Sequence, residues 1–158
     1  MKNIILFSVA CLVAGLADGQ KMKDSNVPEA VKAAFAKNFP KAKEVKWSKE
    51  GTSGFEAEFE IAEVEQSANF DKAGKWLETE TEIKKSELPQ AVQAAIAKEF
   101  SGFTVDEPEK VESPGNTLLY EVELKKGKVR YEVQFSADGK VVKKQEEKGK
   151  EKEGDKDK

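Results

Sequence analysis

Residues 55–70 read FEAEFEIAEVEQSANF, and the rhythm of this stretch decides the fold. Phe55, Ala57, Phe59 and Ile61 alternate with Glu56, Glu58 and Glu60, which makes a strand with one dry and one wet face. After a short turn at Ala62-Glu63, Val64, Gln66, Ala68 and Phe70 continue the alternation. Upstream the period is helical. In 27–39, VPEAVKAAFAKNF, the residues Val31, Ala34, Phe35 and Phe39 fall on one stripe, with Lys32 and Lys37 on the other side. Pro28 suits a helix start, where its missing N–H would have no partner anyway. Val45 and Trp47 point to an earlier strand at 43–49, and residues 75–83 to a last one after a glycine turn at Gly74.

The same order recurs downstream. Residues 88–100, LPQAVQAAIAKEF, align with 27–39 without a gap, and eight of the thirteen positions are identical. The six residues FDKAGK from Phe70 match FSADGK from Phe135. The offset is 61 residues at the helix and 65 at this turn, so the second copy carries an insertion of four. Its helical stripe is Val92, Ala95, Ile96 and Phe100. Its strand pair is Leu118, Tyr120, Val122, Leu124 and then Val129, Tyr131, Val133, Phe135, turned at Lys126-Gly127. Residues 104–112 match the earlier strand, with Pro108 expected to place that strand at a sheet edge. Residues 140–146 close the copy. The fold class is therefore α+β: two tandem repeats, each a helix followed by a four-stranded antiparallel sheet, at 27–81 and 88–146 with a joint at 82–87. A unit of about 60 residues would be marginal alone, so the two are expected to share a core or a continuous sheet.

The ends read differently. Lys2 followed by the apolar run Ile4–Leu16 and small residues has the form of a signal peptide over 1–19, cut before Gln20 or, alternatively, before Asp18. The run is too short to span a bilayer, which takes about 20 apolar residues, so no transmembrane segment is expected in the mature chain. Cys11, the single cysteine, raises lipoprotein attachment as a rival. Ser8 fits poorly where a branched apolar residue belongs, so simple export to a periplasmic or secreted location is favoured. Residues 20–26 read as a flexible leader. Residues 147–158, EKGKEKEGDKDK, contain five lysines, five acids and nothing apolar, and are expected to be a disordered charged tail.

Composition excludes several chemistries. The 158 residues include 27 basic and 30 acidic ones, a net charge of −3, which argues against a nucleic-acid partner. Histidine is absent, removing the commonest general base and metal ligand. No phosphate-binding glycine loop, zinc spacing or nucleophile elbow occurs. No catalytic residue, cofactor or metal ligand is assigned, and no enzyme activity is expected.

The LPQAV-type helix start, the alternating strand pair and the FDKAGK turn resemble the PepSY-like, beta-lactamase-inhibitor-like family over residues 27–146. That resemblance implies an exported bacterial protein of two tandem units whose exposed sheet face engages another protein, and it supplies no catalytic residues.

The candidate site is the row Glu56, Glu58, Glu60, with Glu65, Asp71, Glu78 and Glu80 as possible additions from the following strands. Successive carboxylates along one strand lie about 7 Å apart, too wide for one tight cation. The plain alternative is a solvated face balanced by cross-strand lysines such as Lys46. Trp76 joins the candidate partner-binding residues because it adjoins Leu77, and one of the two must point outward. Trp47 is assigned to the core, and so are Tyr120 and Tyr131 with their hydroxyls at the rim. Asp71–Gly74 and Ser136–Gly139 read as turns. The expected function is a non-catalytic protein- or peptide-binding module, in its most concrete form a peptidase modulator or inhibitor. The alternative is a low-affinity binder of cations or small ligands. Neither the partner nor the oligomeric state can be read from the residues.

Overall fold

The computed structural model describes residues 22–147. The expected signal peptide with Cys11, the start of the leader and the tail from Lys148 onward lie outside the described residues. Helix α1 (Glu29–Asn38) precedes strands β1 (Lys43–Glu50), β2 (Gly54–Ile61), β3 (Val64–Phe70) and β4 (Trp76–Glu82). Helix α2 (Gln90–Glu99) precedes β5 (Thr104–Ser113), β6 (Thr117–Lys126), β7 (Val129–Ser136) and β8 (Val141–Glu147). The fold is α+β, and its strands form one eight-stranded antiparallel sheet in sequence order. Of the two expected arrangements, a shared core or a continuous sheet, the chain takes the continuous sheet, because β4 pairs directly with β5. That pairing gives both inner strands a hydrogen-bonding partner that an edge would lack.

Both helices pack on the same dry side of the sheet, one over each half. Under α1, Val31 and Phe35 are buried with Trp47, Phe59 and Phe70, and Phe35 meets the rings of Trp47 and Phe59 edge-on at 5.3 and 5.1 Å. Under α2, Val92, Ile96 and Phe100 are buried with Val122, Leu124, Val133 and Phe135; Tyr120 and Tyr131 pack at the rim. The two apolar clusters are separate.

Matching details mark the two halves as versions of one unit. The glycine turn before β4 and the one before β8 each press on a helix: a Cβ on Gly74 would lie 2.4 Å from the Ala30 carbonyl, and one on Gly139 2.4 Å from that of Ala91. Both glycines hold φ above +80°. The four extra residues of the second half lie in the β5–β6 hairpin, whose strands have ten residues each against eight in β1 and β2.

One expectation is overturned by a β-bulge. Pro108 does not mark an edge: β5 is an inner strand, and the proline sits where the register shifts between Asp106 and Glu109, a bulge that needs no ladder N–H. The stretch read as a flexible leader carries structure from Met22 onward. The Met22 N–H donates to the Trp47 carbonyl at 2.8 Å, and Asp24–Asn26 form a 3-10 turn. At the other end β8 runs through Glu147, one residue into the stretch read as tail.

Candidate functional site

Strand alternation sends Glu56, Glu58 and Glu60 to the helix-free side of the sheet, and the register shows what they meet there. Ser48, Glu56, Asn69 and Glu78 form one cross-strand row. Lys46, Glu58, Ser67, Glu80, Val111 and Leu119 form the next. Glu82, Glu109, Glu121, Gln134 and Lys143 form a third. Glu56 and Glu60 are half-buried and Glu58 is exposed, while Glu78, Glu80, Glu121, Glu123 and Glu132 are buried.

This face is hollow. It holds a cavity of about 320 Å³ whose sixteen lining residues include twelve glutamates and one lysine, Lys46. Two of those glutamates come from bulges. Glu44 in β1 and Glu107 in β5 hold φ at +54° and +41°, and each lies where its strand shifts register. A bulge bends its strand and re-aims a side chain, which here adds a carboxylate to the lining.

The carboxylates are partnered unevenly. In the second half, Glu123 is gripped by Lys125 at 2.8 Å and Arg130 at 2.9 Å, and Lys125 also reaches Asp106 at 2.6 Å. Lys143 lies 3.6 Å from Glu132. Toward the middle, neutral donors replace the cations. The Ser67 hydroxyl donates to Glu80 at 2.9 Å, the Gln134 amide to Glu121 at 2.7 Å, and the Ser48 hydroxyl to Glu56 at 2.8 Å. One carboxylate oxygen from each of Glu80, Glu109 and Glu121 lies within 4.8 Å of the others. Acidic groups crowded in this way are common without an ion, and we assign no metal to them.

Burial drives the titration of this face. It pushes the Glu80 carboxyl up to about 9, helped by the charges of Glu109, Glu121 and Glu78. Burial, with Glu121 next to it, raises Glu109 to about 7. Burial and Glu132 raise Glu121 to about 7 against the opposing pull of the Gln134 donor and Lys143. Glu50, desolvated beside Glu56 and Glu78, also rises to about 7. Glu56 is raised by burial in spite of the Ser48 hydrogen bond.

Trp76 does not belong to this face. A bulge pairs Phe70 with Trp76 and Asn69 with Glu78, leaving Leu77 as the extra residue, so the indole turns to the helix side. There it is half-buried against the first apolar cluster and its Nε1–H donates to Thr79 Oγ1 at 2.9 Å. It lines a separate cavity of about 540 Å³ with Phe39 and Leu118. Asp71 serves its turn, accepting from the Ala73 and Lys75 N–H groups.

Glu109, Glu121, Glu123 and Glu132 were missed as site residues, although a signal for three of them was present. Tyr120, Val122 and Leu124 alternate with Glu121 and Glu123 as Phe55 to Phe59 do with Glu56 and Glu58, and Glu132 alternates with Tyr131 and Val133. The 65-residue offset maps Glu56 onto Glu121 and Glu58 onto Glu123.

Among the described residues, eight antiparallel strands with two helices on one side and an acid-lined hollow on the other define an α+β protein with one open-faced sheet. The family described as "Putative beta-lactamase-inhibitor-like, PepSY-like" matches residues 17–65 and 54–143, and the chain belongs to it. Among solved structures it is similar to a DUF2874 family protein from Bacteroides uniformis, at 28% identity and TM-score 0.69, over 75% of this chain and 88% of that one. It is also similar to a BLIP-like protein from Bacteroides fragilis, at 26% identity and TM-score 0.65, over 77% of this chain and 87% of that one. A third similar structure is a putative periplasmic protein from Bacteroides eggerthii, at 25% identity and TM-score 0.69, over 76% of this chain and 88% of that one. No curated protein matches. Among the described residues no helix is long and apolar enough to cross a membrane.

Proposed function

We propose that this chain is an exported, non-catalytic protein- or peptide-binding module that receives a positively charged segment of its partner on the helix-free face of the sheet. The observation that carries the reading is the hollow of twelve glutamates and one lysine. A basic segment seated there draws the crowded carboxyls into their ionised form and pairs with them. A partner ammonium or guanidinium also provides charge-assisted hydrogen bonds that serine and glutamine donors do not. The family description and the BLIP-like relative support an inhibitor-like role, of which a peptidase modulator is the most concrete form. The periplasmic description of one relative and the N-terminal apolar run support export. The unit boundaries at 27–81 and 88–146 belong to the same reading.

A store of small cations has less behind it, because burial favours the protonated form of Glu80, Glu109 and Glu121 over the carboxylate form that a cation needs. Peptide arrays of basic, neutral and acidic segments test the preferred reading. The wild type should select basic segments, with affinity falling as salt rises. The Glu56→Gln/Glu58→Gln/Glu60→Gln variant should weaken that selection by about tenfold or more, equivalent to roughly 1.4 kcal/mol. Retention that ignores peptide charge would reject the reading.

A further inference from the structure

We propose that Glu80, Glu109 and Glu121 form a proton-holding clasp across the seam between the two halves of the sheet, which tightens as the medium acidifies and loosens as it turns alkaline. Glu80 belongs to β4, the last strand of the first half, whereas Glu109 and Glu121 belong to β5 and β6 of the second. The seam is the shortest pairing in the sheet, its register running only from Thr79↔Glu112 to Glu82↔Glu109. Among the described residues the apolar clusters under the two helices are separate, and the fully buried apolar side chain at the seam, Val111, sits on the open side opposite Glu80. What faces the seam on the open side therefore weighs heavily on its stability.

Three ionised carboxylates with oxygens within 4.8 Å repel one another, whereas a carboxylic acid among them donates a hydrogen bond to its neighbour. The surroundings favour the protonated form. On β3, Ser67 offers Glu80 one neutral hydroxyl; on β4, Glu78 adds negative charge and Glu82 is another acid beside the cluster. On β5 and β7, Glu107 and Glu132 add more. On β6, Glu123 is already held by Lys125 and Arg130. On β2 and β1, exposed Glu58 faces Lys46 across the strands. On β8, Lys143 is the nearby cation, 3.6 Å from Glu132, and it draws Glu121 down without reversing its rise. In the row beside the clasp, the Asn69 amide donates to Glu78 at 3.3 Å, while its Oδ1 is a buried acceptor with no hydrogen-bond partner. It lies across the strands from Glu56 and Glu78, and a protonated carboxyl there can supply its donor.

The sign follows from linkage. The three carboxyls sit at about 9, 7 and 7 in the folded chain, above the ordinary value of 4.5. The folded state then binds more protons than the unfolded one, so stability is full below pH 4.5 and is lost as pH rises toward 9. This is the reverse of ordinary acid denaturation.

Urea unfolding of the full chain between pH 5 and 9 tests the clasp. The unfolding constant of the wild type should rise at least about tenfold from pH 6 to pH 8, since one extra proton held by the folded state changes it tenfold per pH unit. In Glu80→Gln/Glu109→Gln/Glu121→Gln, where each amide imitates a protonated acid, most of that rise should vanish. Glu58→Gln, on the same face but exposed, should leave it intact. Glutamate-selective carbon-13 NMR of the wild type gives a reading that survives any folding failure of the triple variant. At least one carboxyl should titrate above pH 7, and it should be missing from the spectrum of Glu80→Gln. A wild-type unfolding constant that does not rise with pH, a triple variant that keeps the full rise, or glutamates that all titrate below pH 5 would overturn the proposal.

Discussion

The two sides of this sheet are made by the same strands, residue by alternate residue, and they are stabilised by opposite means. The helix side is closed by α1 and α2, and its phenylalanines and valines gain by leaving water. The open side has no helix over it, yet Glu78, Glu80, Glu121, Glu123 and Glu132 are nonetheless buried, crowded by neighbouring strands and bulges. A buried carboxylate without a cation is costly to keep charged, so this side answers to pH and salt while the other answers to volume. The lesson is that an apolar/acidic alternation does not by itself make the acidic face a solvated one.

The largest effect that would sharpen this contrast lies on the helix side. Phe70→Ala and Phe135→Ala each remove a fully buried ring and should cost about 3–5 kcal/mol in urea unfolding, by the same amount at pH 6 and pH 8. A strong pH dependence of that loss would break the division between the faces. Next come the glycine turns. Gly74→Ala or Gly139→Ala drives a methyl into a helix carbonyl at positive φ and should cost roughly 2 kcal/mol or more. Similar losses in the two variants are expected because the contacts match, and a harmless Gly139→Ala would mean that the second turn is looser than the first.

On the open side the effects change with conditions. Glu121→Gln should stabilise by less than about 1 kcal/mol at pH 5 and by up to about 3 kcal/mol at pH 8, because the penalty of ionising a carboxyl raised from 4.5 to about 7 builds up between those two values. Salt should stabilise the wild type at pH 8 more than at pH 5 by screening carboxylate repulsion, and thermal melts at two ionic strengths check this. The smallest effect belongs to Lys110, whose ion pair with Glu112 at 3.2 Å is partly exposed; Lys110→Ala should change stability by less than about 0.5 kcal/mol.

Several features were legible in the residues alone. The shift from a 3.6-residue to a 2-residue period after Phe39 and after Phe100 assigned the helices and strands, and the repeat assigned their order twice. These are local properties: a side chain's face follows from its position in a helix or strand, and turn glycines answer to their own φ. The row Glu56, Glu58, Glu60 was placed on one face for the same reason. Three other features waited on the assembled sheet. Trp76 went to the helix side because of a bulge, and Pro108 went to an inner strand because another bulge tolerates it. Glu80 meets Glu109 and Glu121 because β4 joins β5. Register, bulges and burial depend on residues distant in the chain, and a carboxyl's charge state depends on all three, so no local period can report them.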